Sequence, residues 1–222
     1  MKRSEINAYI KEAREFFAKM NFNLPVWVDW TEQEWQTKGQ ECIEIVRNGL
    51  GWDVTDFATG NFPDIGLTAI TIRNGNLKYD RKTYCEKIMM VREGQVTPIH
   101  FHWKKMEDII NRAGGVLCMK LWRAGASDEL IDEDVIVQID GVTTVVEAGK
   151  VLRLYPGTSI TFEHHIYHTF WAEEGDCMVG EVSTVNDDDN DNRFYEPLGR
   201  YTAIIEDEPR VHLLCNEYPV LK

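Results

Sequence analysis

Gly94-Gln95-Val96-Thr97-Pro98-Ile99-His100-Phe101-His102-Trp103-Lys104-Lys105-Met106-Glu107, closed seven residues later by Gly114, is the stretch from which the rest of the chain is read. Side chains alternate along a strand, so His100 and His102 project from the same face. Glu107 lies five residues past His102, a spacing that suits a strand, a short turn and a return strand facing the first. Two imidazoles and a carboxylate converging on one point make a mixed nitrogen and oxygen site for a divalent first-row metal. The bland alternative is two surface histidines and an exposed glutamate on a hairpin. One periodicity explains both histidines, however, and one turn explains the glutamate.

A second stretch reads the same way. Ser159 to Phe162 has the pattern of a short strand, Glu163 to Tyr167 of a turn, and His168 to Trp171 of the returning strand. His168 and Phe170 then share the inward face. His164 and His165 fall in the turn and are read as solvated loop residues, and the isolated His212 as structural or exposed. The frame Gly94, His100, His102, Glu107, Gly114 resembles the first motif of the cupin superfamily, with every required position matched. Cupins take a fourth ligand, a histidine, from a second motif. Here that motif keeps Gly157 and His168, but has Glu163 for the usual proline, His165 for glycine and Ala172 for asparagine. The resemblance implies a metal held by His100, His102, Glu107 and His168.

The 222 residues suffice for one substantial core, and seven tryptophans with 43% hydrophobic residues argue against disorder. No apolar run is long enough for a membrane span and no basic-then-apolar leader is visible. Five scattered cysteines, without a Cys-x-x-Cys, suit reduced thiols in the cytoplasm. A net charge of −13 makes nucleic acid and anionic membrane surfaces poor partners. Phosphorylated substrates would want a cationic cluster or a glycine-rich loop, and neither is evident, so a neutral or cationic small molecule is expected.

Residues 4–20 carry an amphipathic stripe of Ile6, Tyr9, Ile10, Ala13, Phe16, Phe17 and Met20, with Ser4 placed to cap a helix. Thr31-Glu32-Gln33-Glu34 is a capping box between Trp30 and Trp35; Gly39 weakens the helix that follows, and Asn48-Gly49 and Gly51 end it. Residues 52–64 read as a turn-rich connection. From Leu67 onward short strand patterns follow one another, with Asn74-Gly75, Gly114-Gly115 and Asp140-Gly141 as turns. The expected fold is all-β: a single cupin jelly-roll barrel over 66–186, a helical extension over 1–65, and an acidic loop with a C-terminal segment packed on the barrel over 187–222. The run Asn186 to Asn192 lacks the glycine and distal glutamate of a calcium loop and reads as solvated.

The whole-chain layout, together with Tyr84-Cys85-Glu86-Lys87-Ile88-Met89, His100-Phe101-His102-Trp103, Gly180-Glu181-Val182-Ser183-Thr184-Val185-Asn186 and Glu206-Asp207-Glu208-Pro209, resembles the D-lyxose isomerase family. That resemblance implies reversible aldose–ketose isomerisation, D-lyxose with D-xylulose and often D-mannose with D-fructose, on Mn²⁺ in a homodimer. The ligand types also suit Zn²⁺, Co²⁺, Fe²⁺ or Ni²⁺. Proton transfer through an enediol needs a general acid and base as well as a Lewis acid. Lys87 is the first candidate, sharing a strand face with Met89 and Val91; an outward lysine paired with Glu86 is the alternative. For its carboxylate partner Glu208 is preferred over Glu206 and Glu181, on a C-terminal segment placed to fold over the mouth. The rival readings are a cupin oxygenase, a sugar-phosphate isomerase and a non-catalytic sugar-binding cupin.

Overall fold

A computed structural model describes residues 1–221. Three helices, α1 (Arg3–Lys19), α2 (Glu32–Trp35) and α3 (Ile43–Arg47), precede twelve strands. The first six strands are β1 (Gly51–Thr55), β2 (Leu67–Asn74), β3 (Tyr84–Val91), β4 (Thr97–Phe101), β5 (Glu107–Ala124) and β6 (Leu130–Ile131). They are followed by β7 (Val135–Ile139), β8 (Val142–Val146), β9 (Leu152–Leu154), β10 (Ser159–Phe162), β11 (Ile166–Thr184) and β12 (Arg193–Phe194). All pair antiparallel in one sheet of order β1-β2-β3-β11-β5-β10-β7-β8; β4 and β12 extend from β11, while β6 and β9 pair with β5. The fold is the all-β jelly roll of the cupins with a helical extension.

Alternation along β3 shows how the layers arise. Met89 and Val91 face an inner apolar cluster with Ile109, Leu117, Met119, Phe170 and Val179. Ile88 and Met90 face outward and are covered by α1, whose Ile6, Ile10, Ala13 and Phe17 are fully buried against them and against Trp52, Val54 and Ile70. The outer face of this half of the sheet is therefore as dry as the inner one. No helix among the described residues is long and apolar enough to cross a membrane.

Three local expectations are corrected. Residues 51–55 form β1 rather than a connection, hidden because all five are buried and show no alternation. Gly114-Gly115 is no turn: β5 continues through it without interruption, and β11 likewise spans both stretches read as separate strands. The cap of α1 is Lys2, and Ser4 instead bonds Asp207 through its backbone N–H and its hydroxyl. The Thr31–Glu34 capping box forms as read, but its helix stops at Trp35.

Candidate metal centre and active site

His100 comes from β4 and His102 from the residue just after it; the β4–β11 register sets His168 opposite His100. Potential ligand atoms of the three lie within 4.8 Å of one another. Glu107, the first residue of β5, brings Oε1 to 3.4 Å from His102 Nε2 and 3.3 Å from His168 Nε2. Each imidazole is oriented by a backbone carbonyl: His100 Nδ1 is 2.7 Å from the Pro98 oxygen, His102 Nδ1 2.7 Å from that of Asp191, and His168 Nδ1 3.1 Å from that of Ile166. A carbonyl can only accept, so each Nδ1 carries a proton, and in the neutral ring Nε2 keeps the lone pair a metal needs.

Lone pairs therefore face lone pairs. His102 Nε2 and Glu107 Oε1 are fully buried without a hydrogen-bond partner. Such an arrangement is repulsive by itself and becomes favourable around a cation. Burial and the neighbouring histidines hold His100 well below the ordinary histidine range, and burial brings His168 down to about 4. Neutral imidazoles are what a metal requires. The donor set fits a divalent first-row ion.

A ladder of alternating charge leads away from these ligands. Lys105 Nζ lies 2.9 Å from Glu107 Oε2 and 2.8 Å from Glu181 Oε1. Glu181 Oε1 is 3.6 Å from Lys87 Nζ, which is 2.7 Å from Asn186 Oδ1 and 3.8 Å from Asp188 Oδ1. Asp188 Oδ2 is 3.1 Å from Arg200 Nη2, which also bonds Asp53. Burial opposes the charge on Lys105, but Glu107 and Glu181 outweigh it and raise its ammonium above the ordinary lysine range. Burial pushes the Glu181 carboxyl up; Lys105 and Lys87 pull it down further, and the net shift is downward. These groups stay ionised through their partners.

Comparison with known proteins then decides the family. The family model described as D-lyxose isomerase matches residues 1–218. A D-lyxose/D-mannose isomerase of Escherichia coli O157:H7 is 50% identical over 98% of both chains, and one of Serratia proteamaculans is 49% identical over the same shares. The chain belongs to the D-lyxose isomerase family. It is an isomerase. Among solved structures, an L-ribose isomerase of Acinetobacter sp. DL28 matches with a TM-score of 0.61 at 15% identity, over 92% of this chain and 98% of that one. An L-ribose isomerase of Cellulomonas parahominis gives 0.57 at 17% identity over the same shares. At such identity the likeness concerns the fold.

Of the residues singled out in this member of the D-lyxose isomerase family, the structure brings His100, His102, Glu107, His168, Lys87 and Glu181 into one cavity. Lys87 turns inward, and Glu86 pairs with Arg73 instead. Glu208 is not brought there: it accepts a 2.6 Å hydrogen bond from Asn7 on the exposed side of α1. Glu206 is likewise engaged elsewhere, by Arg3 and Arg210. His164 and His165 are exposed, whereas His212 is buried away from the cavity.

Four charged cavity residues escaped sequence reading: Lys105, Asp188, Arg200 and Asp53. Lys105 lies in the loop between β4 and β5, where strand parity gives no signal. Asp188 lies in the acidic run read as solvated, whose Asp191 also accepts from the backbone N–H groups of Lys104 and Lys105, and Arg200 lies beyond it in the segment expected to pack on the barrel. The space enclosed by these side chains is about 50 Å³, small beside the roughly 300–1,000 Å³ of typical small-molecule sites. Asp188, Asn192, Phe194 and Arg200, all within residues 187–201, form part of its wall.

Proposed function

We propose that this isomerase interconverts D-lyxose and D-xylulose, and D-mannose and D-fructose, by proton transfer between C1 and C2 through a cis-enediol. The single observation that carries the reading is a set of three imidazoles and a carboxylate converging on one point, joined through Lys105 to the buried carboxylate of Glu181. The names of the two curated relatives support the choice of sugars. A divalent ion held by His100, His102, Glu107 and His168, with Mn²⁺ the first choice, supplies Lewis-acid stabilisation of negative charge building on neighbouring sugar oxygens.

The residues around it do the rest. Glu181, kept ionised by Lys105 and Lys87, accepts the proton from C2 of the aldose and returns it to C1, while the proton on O2 passes to O1 within the cis-enediol, so that the aldehyde becomes a hydroxyl and the C2 hydroxyl a ketone. Lys105 stays an ammonium and offers hydrogen bonds to oxygen as charge develops there. Lys87 positions Glu181 and ties it to Asn186 and Asp188. Charge selects the substrate class: Lys87, Lys105 and Arg200 each already face carboxylates, so a sugar phosphate finds no free cation pair, and a neutral sugar fits.

The test is incubation of the purified, Mn²⁺-loaded protein with D-lyxose in deuterium oxide. D-Xylulose should form, with deuterium at C1 wherever Glu181 exchanges with solvent before returning the proton. Stripping the metal should abolish turnover and adding it back restore it; equal activity before and after chelation overturns the reading. Glu181→Gln is expected to keep the metal and lower kcat by about 10²–10⁴-fold, and Lys87→Ala to keep the metal with turnover reduced.

A further inference from the structure

The site described so far grips one end of a sugar. The reacting carbons belong beside Glu107, Lys105 and Glu181, so the remainder of the chain must lie elsewhere in the same cavity. Arg200 lines that cavity with one nitrogen unused. Its Nη2 bonds Asp53 and Asp188, and its Nε donates to Asp188 Oδ1 at 3.3 Å. Its Nη1 is fully buried and has no hydrogen-bond partner. A buried guanidinium N–H without a partner is rare and calls for an explanation.

Its position supplies one. Across the sheet, Glu107 stands on β5, Glu181 on β11, Lys87 on β3, Thr71 on β2 and Asp53 on β1. Neighbouring strands are about 4.8 Å apart, so Asp53 and its Arg200 mark the cavity wall farthest along the sheet from Glu107. The charge ladder says the same: Arg200 and Asp53 are its last rungs, Glu107 its first. Two carboxylates fix the fork and balance its charge. What remains at Nη1 is an unpartnered donor suited to a neutral acceptor, not to an anion.

We infer that Arg200 is a specificity-determining residue whose Nη1 donates a hydrogen bond to the terminal hydroxyl of the sugar, at the end remote from the reacting carbons. This rests on the proposed sugar substrate. It assigns the segment that carries Arg200 a part in choosing the substrate. Arg200→Lys keeps the positive charge but cannot reproduce the fork.

The decisive measurement uses D-arabinitol, the alcohol of D-lyxose, which cannot be isomerised, and the alcohol obtained by reducing 5-deoxy-D-lyxose. Both are titrated into Mn²⁺-loaded protein by calorimetry. Wild type should bind the deoxy alcohol about 10–100-fold more weakly, a comparison that needs no variant. Arg200→Lys, with metal content and Tm checked, should lose the same factor on D-arabinitol and bind both alcohols alike. Wild type that treats the two alcohols alike, or binds neither, overturns the inference; so does a lysine variant that binds D-arabinitol as wild type does. Separately, kcat/KM for D-lyxose and 5-deoxy-D-lyxose reports on the reaction. Arg200-dependent binding with no isomerisation of D-lyxose would sink the proposed function and leave this inference standing.

Discussion

His168 keeps its place although most of its motif has changed, because its position depends on strand register and not on the neighbours that were replaced. The β4–β11 pairing sets it opposite His100, and the Ile166 carbonyl orients its ring. His165, the rival three residues away, has a left-handed backbone (φ 63°) and stacks on Phe101 from the exposed loop. His168→Ala should therefore lose bound metal by elemental analysis while His165→Ala retains it; the reverse pattern would refute the ligand set. A second consequence concerns acid. His168 titrates at about 4 in the folded chain against an ordinary 6.5, so the unfolded chain takes up its proton first. Stability of the metal-free protein is then complete above pH 6.5 and falls as pH drops toward 4, by about 3 kcal/mol from this group. Glu107, also lowered, has the same sign at still lower pH. Urea midpoints at pH 7 and 4.5 should diverge less in a His168→Asn variant, and equal divergence would contradict the account. At this scale the ligands were legible from a period of two. Lys105 was not, since it leaves a loop where periodicity says nothing, and Glu208 misled because its distant partner Asn7 has no local signature.

Elements were legible in kind and misread at their joints. Gly114-Gly115 looks like a turn because two glycines usually punctuate, but here they let two long strands bend together. Gly114 pairs with Cys177 and Val116 with Glu173, so residues 174–176 of β11 stand opposite Gly115 alone. That bulge bends β11, and Gly114, at φ 98°, lets the Asp176 carbonyl approach to where a Cβ would be 2.0 Å away. The bend matters to the site because His168 and Glu181 lie on either side of it on the same strand. Gly114→Ala adds both left-handed strain and a backbone clash and should destabilise by on the order of 3 kcal/mol. Urea unfolding measures it. A loss within about 0.5 kcal/mol, the usual range of a neutral surface change, would mean the strands separate there at little cost. The missed β1 has the complementary cause: with Asp53 and Thr55 buried among apolar residues, no alternation announces a strand.

Over the whole molecule, the acidic balance that makes nucleic acid a poor partner also conceals how the two ends of the chain are joined. The sequence offers Glu206-Asp207-Glu208 as an exposed acidic cluster, and nothing local says that α1 collects it. Arg3 does so: its side chain is fully buried, bonding Glu206 and Glu217 together, while Ser4 takes Asp207 and Asn7 takes Glu208. Arg3 also donates its backbone N–H to the Ile205 carbonyl at 2.9 Å. Long-range charge pairing of this kind spans some two hundred positions and has no periodic signal, which is why the segment read as a lid is instead a clasp on α1. Arg3→Ala leaves Glu217, only 12% exposed, with no cation nearer than Arg210 Nε at 3.9 Å. We expect a loss of about 3 kcal/mol, the low end for a broken buried pair because Glu206 remains half-exposed to water. Glu206→Gln keeps a hydrogen-bond acceptor at the rim and should cost less than about 1 kcal/mol. Because α1 covers the outer face of β1, β2 and β3 while the proposed metal ligands sit on or just after β4, β5 and β11, both variants should bind metal normally once folded. Equal losses for the two variants would place the clasp at Glu206, and metal loss in folded Arg3→Ala would show that α1 shapes the site as well as the sheet behind it.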